Sequence, residues 1–160
     1  MGKIVGWYQG HGEIGPRALG NRSILMSPEV KNGKSILNDK VKHREDYRPF
    51  AASIKLDRTK EFFDWEGESK YMLYSVKFKD KIFAPISHID NTSRIQTVTS
   101  EQWYYNELLS EFEKLTGLPM LLNTSLNDNG KPIAGKPEDA LNLLKNSKID
   151  LMVIGNDTYK

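Results

Sequence analysis

The sequence contains no cysteine in its 160 residues. This absence excludes a disulfide scaffold, a cysteine nucleophile and a thiolate metal site. The chain also has no apolar run long enough for a signal peptide or a membrane-spanning helix. We therefore predict a cytoplasmic protein that has no membrane partner.

Histidine is also scarce, and His11, His43 and His88 are too scattered to suggest the ligand spacing of a metal site. We therefore predict no metal site in this chain. A large excess of one charge sign is missing too, because 23 basic and 21 acidic residues leave a net charge of only +2. Nucleic-acid-binding proteins usually concentrate basic residues on one face, so RNA is not an expected partner. A local cationic cluster for phosphate remains compatible with this charge.

What the sequence does contain is an irregular mixture of strand and helix patterns, of a length that suits one domain over residues 1–160. Apolar runs predict strands over 4–8, 22–26, 50–54, 72–78, 81–87, 94–98, 119–122 and 151–154. Capping residues and helical periodicity predict helices over 27–43, 100–116 and 137–146, and a short helix capped by Asp57. Several strands in succession are unlike a doubly wound fold. The predicted fold is therefore α/β (α+β), a twisted open mixed sheet with flanking helices.

The longest predicted helix, 100–116, carries one apolar stripe at helical spacing. The stripe consists of Tyr104, Leu108, Phe112 and Leu115. Gly117 is the expected C′ residue, and Pro119 follows where the helix must already have ended.

A glycine-rich stretch over 10–15 matches the G-x-G-x-x-G pattern of dinucleotide-binding proteins. Such a site needs a full helix directly after the glycines. Here only a short turn fits before the strand at 22–26, so we reject a dinucleotide site.

The overlapping segment 13–23 offers two arginines and two glycines. Glycines let the backbone approach an anion, and guanidinium groups bind its oxygens bidentately. We predict this role for Arg17. For Arg22, an alternative is that it holds the turn together through a carboxylate such as that of Glu13.

A second cationic segment covers 38–50, at a predicted helix C-terminus where basic residues are favoured without any function. We therefore interpret Lys40 and Arg44 as solvated surface residues. Lys42 and Arg48 flank the exit into the next strand, and we predict that both point at one bound phosphate.

Two further segments offer polar groups. Hydroxyl and amide side chains follow the apolar run at 119–122, where they are suited to hydrogen-bonding a ligand, although an ordinary Asn/Gly turn is an open alternative. They are Asn123, Thr124, Ser125 and Asn127. In 86–96, His88 and Arg94 are possible phosphate ligands, although a lone histidine is more often structural.

Taken in order, segments 13–23, 42–50, 88–96 and 122–127 resemble the C-terminal domain of the O-carbamoyltransferases that modify nodulation factors and antibiotics. The resemblance covers essentially all of 1–160 and departs at Ala52, where a proline is expected. The family's domain is in turn similar to threonylcarbamoyl-adenylate synthases, which implies a sheet like that of dihydroxybutanone-phosphate synthase.

The resemblance implies that this part of a longer enzyme binds ATP, with Mg²⁺ arriving on the nucleotide, and carbamoyl phosphate, and forms carbamoyl-adenylate. An N-terminal domain of the actin/hexokinase-like class, which this sequence does not contain, would then transfer the carbamoyl group to a hydroxyl with the help of a metal. Lys42, Arg48 and Arg94 would hold the phosphates. Ser125 would donate to them and Asn127 would shape its turn. Arg17, His88, Asn123 and Thr124 would complete the site. The alternative is a regulatory module that binds nucleotide or phosphate without turnover.

Overall fold

A computed structural model describes residues 2–45 and 47–160. It contains a mixed sheet whose strands are β1 Val5–Tyr8, β2 Arg22–Met26, β3 Ala51–Lys55, β4 Ser75–Lys77, β5 Thr92–Val98, β6 Met120–Ser125, β7 Leu151–Ile154 and β8 Asp157–Tyr159. The α-helices are α1 Gly33–Leu37, α2 Thr59–Phe62, α3 Trp103–Thr116 and α4 Pro137–Asn146. A π-helical segment, Asn38–Lys42, continues α1.

The strands lie in the order β4-β5-β3-β6-β2-β1-β7-β8. Two neighbouring pairs, β3–β5 and β1–β7, are parallel, and the other pairs are antiparallel. The predicted mixed sheet with flanking helices is therefore confirmed. Because β6 lies between β3 and β2, its polar end at Ser125 is surrounded by chain from distant parts of the sequence.

Each face of the sheet has its own apolar layer. The larger layer contains Ile24, Phe50 and Leu122 together with residues of α1, α2 and α4. The smaller layer lies under α3 and includes Leu25, Val98, Tyr105, Leu109 and Leu121. Among the described residues, no helix is long and apolar enough to span a membrane.

The side of α3 that is most deeply buried is not the predicted stripe. Tyr105 and Leu109 are almost fully buried. Tyr104 and Leu115, at the two ends of the predicted stripe, are 50% and 79% exposed. Periodicity finds apolar spacing, but the position of the sheet decides which of two overlapping stripes is covered.

Several predicted element bounds are wrong for local reasons. Helix α1 begins at Gly33 and not at residue 27, because hydrogen-bonded turns occupy the first residues after β2. The predicted strand over 81–87 contains a 3-10 helix, Ala84–Ile86, in which Pro85 has no N–H to give to a sheet. Asp57 lies inside a 3-10 helix, Leu56–Arg58, and makes no cap before α2. The closing strand β8 was not predicted.

Candidate anion-binding site

The candidate site lies where the end of β6 meets the starts of β3 and β5. The loop between β1 and β2 covers it. The pocket has a volume of about 80 Å³, and its functional side chains are Arg17, Arg44, Arg94, Asn123, Thr124 and Ser125. Five of these six residues were predicted as site residues, from three separate segments of the sequence.

The positive charges of this pocket are not neutralised by nearby carboxylates among the described residues. Arg17 is exposed at the rim, while Arg44 and Arg94 are half-buried. Burial lowers the pKa of Arg44, and the charges of Arg48 and Arg94 lower it further. Burial also lowers the pKa of Arg94, with Arg17 as the second cause. Within the described part of the chain, no carboxylate forms an ion pair with these three pocket arginines.

The interpretation of Arg44 as a solvated surface residue is wrong. Its guanidinium carbon lies 4.4 Å from the ring centroid of Phe50, and its Nε donates to Asn38 Oδ1 at 3.3 Å. The chain leaves the π-helical segment through His43, which adopts a left-handed conformation with φ 45°. This turn directs residue 44 into the pocket, and residue type alone gives no sign of it.

Arg48 is placed differently from Arg44. Its side chain is 51% exposed, and its Nη1 lies 3.8 Å from Glu45 Oε2. It does not line the pocket, although its charge acts on Arg44. Lys42 and Arg48 are therefore not arranged around one phosphate in this structure.

Lys42 is buried and bound within the protein. Its ammonium donates to Ser125 O at 2.6 Å and Ser125 Oγ at 3.2 Å, and to Asn127 O at 2.9 Å and Asn127 Oδ1 at 2.6 Å. Burial lowers the pKa of Lys42 to about 7, with the charge of Arg44 acting in the same direction and that of Asp128 opposing it. The structure thus brings three predicted site residues together, and Lys42 fixes the turn that carries the other two.

Asn123, in β6, binds the loop between β1 and β2 that covers the pocket. Its Nδ2 donates to Ser53 Oγ at 2.9 Å, to Gln96 Oε1 at 3.3 Å and to Ala18 O at 3.2 Å. Gln96 Nε2 in turn donates to Leu19 O at 2.7 Å. For Ser53, the sequence gives no signal beyond a small polar side chain in a predicted buried strand.

Thr124 and His88 complete the set of predicted site residues. Thr124 is half-buried and lines the pocket. His88 does not line it, and its Nδ1 lies 2.9 Å from Thr92 Oγ1. Burial lowers the pKa of His88, and Asp90, which raises it, is the second influence.

Arg22 holds the turn together, which was the alternative to anion binding for this residue. Its guanidinium donates to the carbonyls of Gln9 at 2.6 Å, Gly10 at 3.1 Å and Asn21 at 3.3 Å, and its Cζ lies 3.5 Å from the ring centroid of Tyr8. The acceptors are backbone carbonyls and not the carboxylate of Glu13. That carboxylate accepts from the Arg22 backbone N–H at 3.2 Å. No helix follows the glycines in the described loop, which agrees with the rejection of a dinucleotide site.

No group of three or more His, Asp or Glu residues within 2–45 and 47–160 is arranged to hold a metal ion. The described groups around the pocket are guanidinium, hydroxyl and amide groups. Such groups bind and orient anionic oxygens, and they are poor nucleophiles.

Comparison with known proteins relates the whole chain to one family. The family model described as carbamoyltransferase C-terminus matches residues 1–160. Nodulation protein NolO of Bradyrhizobium diazoefficiens is 40% identical, over 96% of this chain and 29% of that protein. The 3'-hydroxymethylcephem-O-carbamoyltransferase of Streptomyces clavuligerus is 37% identical, over 99% of this chain and 31% of that protein.

The fold is also found in a solved structure. The crystal structure of full-length HypF in its phosphate- and nucleotide-bound form matches 96% of this chain and 23% of that chain, with a TM-score of 0.67 and 20% identity. At this identity the likeness concerns the fold. The sequence relatives are more similar to this chain than HypF is, although the chain spans less than a third of their length. On the match over its full length, the chain belongs to the carbamoyltransferase C-terminal family.

Proposed function

We propose that this chain binds ATP and carbamoyl phosphate and forms carbamoyl-adenylate. The observation that carries the proposal is the convergence of Arg17, Arg44 and Arg94 on one pocket, without an ion-paired carboxylate among the described residues. Like charges this close repel one another, and the repulsion is strongest where water is excluded. A bound phosphoryl group would offset it.

The size of the pocket supports a phosphoryl group as its occupant. Its volume is about 80 Å³. It is too small for a whole nucleotide, so the base and ribose would extend outward past Arg17 at the rim. Thr124 would offer its hydroxyl group to the phosphoryl oxygens. Ser125 would do the same once its hydroxyl turned away from Asn127 Oδ1, to which it donates at 2.6 Å.

The proposed reaction brings anions together, which is why it needs such a pocket. Water cleaves carbamoyl phosphate to carbamate and inorganic phosphate. A carbamate oxygen then bonds to the α-phosphorus of ATP while the bond to the bridging oxygen breaks, and pyrophosphate leaves. Guanidinium groups that are already in place stabilise the charge that develops on the phosphoryl oxygens. Mg²⁺ would arrive with ATP and would be held mainly by its phosphates.

The relatives support carbamoyl chemistry, since one of them is named for transferring a carbamoyl group to a hydroxymethylcephem. The HypF structure with the same fold is in a phosphate- and nucleotide-bound form. Because this chain spans less than a third of its relatives, we propose that transfer to the acceptor hydroxyl takes place on an N-terminal domain of the actin/hexokinase-like class.

The first experiment combines calorimetric titration with ATP and a pyrophosphate-release assay. We expect wild type to bind ATP and Arg94→Met to bind it 10- to 100-fold more weakly, since a hydrogen bond to a charged group contributes about 1.5–3 kcal/mol. Arg58→Met is the matched control, because Arg58 lies outside the pocket and pairs with Glu61 and Glu113. Unchanged affinity in Arg94→Met would refute the site.

The assay also separates the proposed enzyme from a regulatory module. Binding with pyrophosphate release, dependent on carbamoyl phosphate, is the expected result. Binding without release, even in a full-length family member, would favour a module that senses nucleotide or phosphate without turning it over.

A further inference from the structure

The loop that covers the pocket is held at its end and free along its middle. Residues 14–17, including Arg17, are exposed. Ala18 is buried and Leu19 is half-buried. The position of Arg17 over the pocket therefore depends on how firmly the residues after it are fixed.

Glu13, at the start of the same loop, binds the backbone of the residues that follow Arg17. Its Oε1 accepts from the backbone N–H groups of Leu19 at 2.7 Å, Asn21 at 2.8 Å and Arg22 at 3.2 Å. A carboxylate can accept several N–H groups at once, and such charge-assisted bonds are stronger than neutral ones. One side chain thus closes the loop from residue 13 back onto residues 19–22.

The buried network of Ser53, Gln96 and Asn123 fixes the same residues from below. It bonds to the carbonyls of Ala18 and Leu19. The backbone N–H of Leu19 is bound by Glu13 and its carbonyl by Gln96. Both polar groups of this residue are therefore occupied, and it forms a fixed base two residues after Arg17.

The placement of the Glu13 charge is also informative. A carboxylate that pointed into the pocket would form an ion pair with its arginines and would compete with a bound phosphate. Glu13 is not among the residues that line the pocket. Glu13 makes no such pair among the described residues, because its Oε1 is taken by three backbone donors. Its Oε2 is buried and lacks a hydrogen-bond partner in the same part of the chain. The negative charge is thus held by the loop, and the arginines stay open to a ligand.

We infer that Glu13 is a positioning residue, which acts through the loop to hold Arg17 in place for phosphate binding. This inference rests on the proposed function and adds a residue that the proposed function does not use. Arg17 contacts the phosphate, while Glu13 contacts only the protein.

The test is a double-mutant cycle on ATP affinity, measured by calorimetry in wild type, Glu13→Ala, Arg17→Met and the double variant. We expect each single variant to bind ATP about 10-fold more weakly. If Glu13 acts through Arg17, the double variant will be no weaker than Arg17→Met alone. Glu29→Ala is the matched control, because Glu29 bonds to Lys81 on the surface at 2.7 Å, and it will bind like wild type.

Rescue provides a second readout that a loss of stability would not mimic. Glu13→Gln keeps an oxygen acceptor for the loop, and we expect it to bind ATP within 3-fold of wild type. If Glu13→Ala does not fold, Glu13→Asp replaces it in the cycle, because the shorter side chain cannot reach all three N–H groups.

The outcomes separate the two proposals. ATP binding by wild type, with losses that add up in the double variant, would overturn the role of Glu13 and leave the proposed function intact. Unchanged ATP affinity in Glu13→Ala would also overturn the role of Glu13 and leave the proposed function intact. A wild type that binds no ATP would overturn both.

Discussion

Arg17 and Arg22 lie five residues apart in one segment, yet their surroundings are opposite. The guanidinium of Arg22 has three backbone carbonyls and a tyrosine ring around it. Within residues 2–45 and 47–160, the guanidinium of Arg17 has only its neighbour's carbonyl, at 3.5 Å. It faces Arg94, whose buried Nε has no hydrogen-bond partner in the same part of the chain. An arginine whose acceptors lie within the protein stabilises the fold, whereas one without them is available to a ligand.

The largest effect that tests this comparison is expected for the free energy of unfolding when Arg22 is replaced. Arg22→Met removes charge-assisted bonds to three carbonyls, one of which, that of Gln9, is buried with the side chain. Since each such bond contributes about 1.5–3 kcal/mol, we expect the free energy of unfolding to fall by about 3 kcal/mol. Urea denaturation followed by circular dichroism measures this change.

Arg94→Met is the counterpart in the same assay. Removing the Arg94 guanidinium relieves charge repulsion in the pocket. The free energy of unfolding of the variant will therefore match or exceed that of wild type. A loss in Arg94→Met as large as that in Arg22→Met would show that both arginines stabilise the fold, and the comparison would not hold.

The next effect concerns pH and Lys42, a buried cation with many acceptors but a pKa lowered to about 7 by burial. The unfolded chain keeps this proton up to about pH 10.5. Between these values the unfolded state binds more protons, so the free energy of unfolding rises with pH. We expect Lys42 to contribute a rise of about 2 kcal/mol from pH 7 to pH 9.

Urea denaturation at several pH values checks this prediction by comparing wild type with Lys42→Met. The variant should lack this part of the pH dependence. Lys40→Met is the control, because Lys40 lies in the same π-helical segment but is half-exposed, and its profile should follow that of wild type. Parallel profiles for wild type and Lys42→Met would mean that Lys42 stays charged throughout.

The smallest effect is expected at Arg48, which is exposed and forms one long ion pair with Glu45. Exposed ion pairs contribute about 0–1 kcal/mol, so Arg48→Ala should unfold within about 0.5 kcal/mol of wild type. Its charge still acts on the pocket, and calorimetry should show ATP affinity reduced by about 2- to 5-fold. A loss as large as that of Arg94→Met would place Arg48 in direct contact with the ligand.

The sheet could be predicted well because its strands are short apolar runs between turn residues. The strand at 22–26 and the helix at 137–146 have the predicted bounds. The errors arose where tertiary contacts decide the outcome. The buried side of α3 depends on where the sheet lies, and no local pattern shows that position.

Local residue types pointed to the candidate site residues one segment at a time, and only the ordered resemblance to a known family grouped the segments into one site. Residues 42 and 125 are 83 positions apart, and only the fold brings them together. Arg44 was missed because basic residues at a helix end are usually solvated, and the left-handed His43 that turns it inward has no sequence signal. Glu13 was noticed only as a possible partner of Arg22, since its real partners are backbone groups.

The bond from Lys42 to Ser125 also has a consequence for folding. Closing a loop of 83 residues costs about 4 kcal/mol of chain entropy in the simplest polymer treatment. The pocket is therefore assembled only when distant parts of the sheet have come together, and a partly folded chain would lack it. Any ligand that selects this pocket binds the native state and not the unfolded one, so its binding energy is added to the stability of the whole domain.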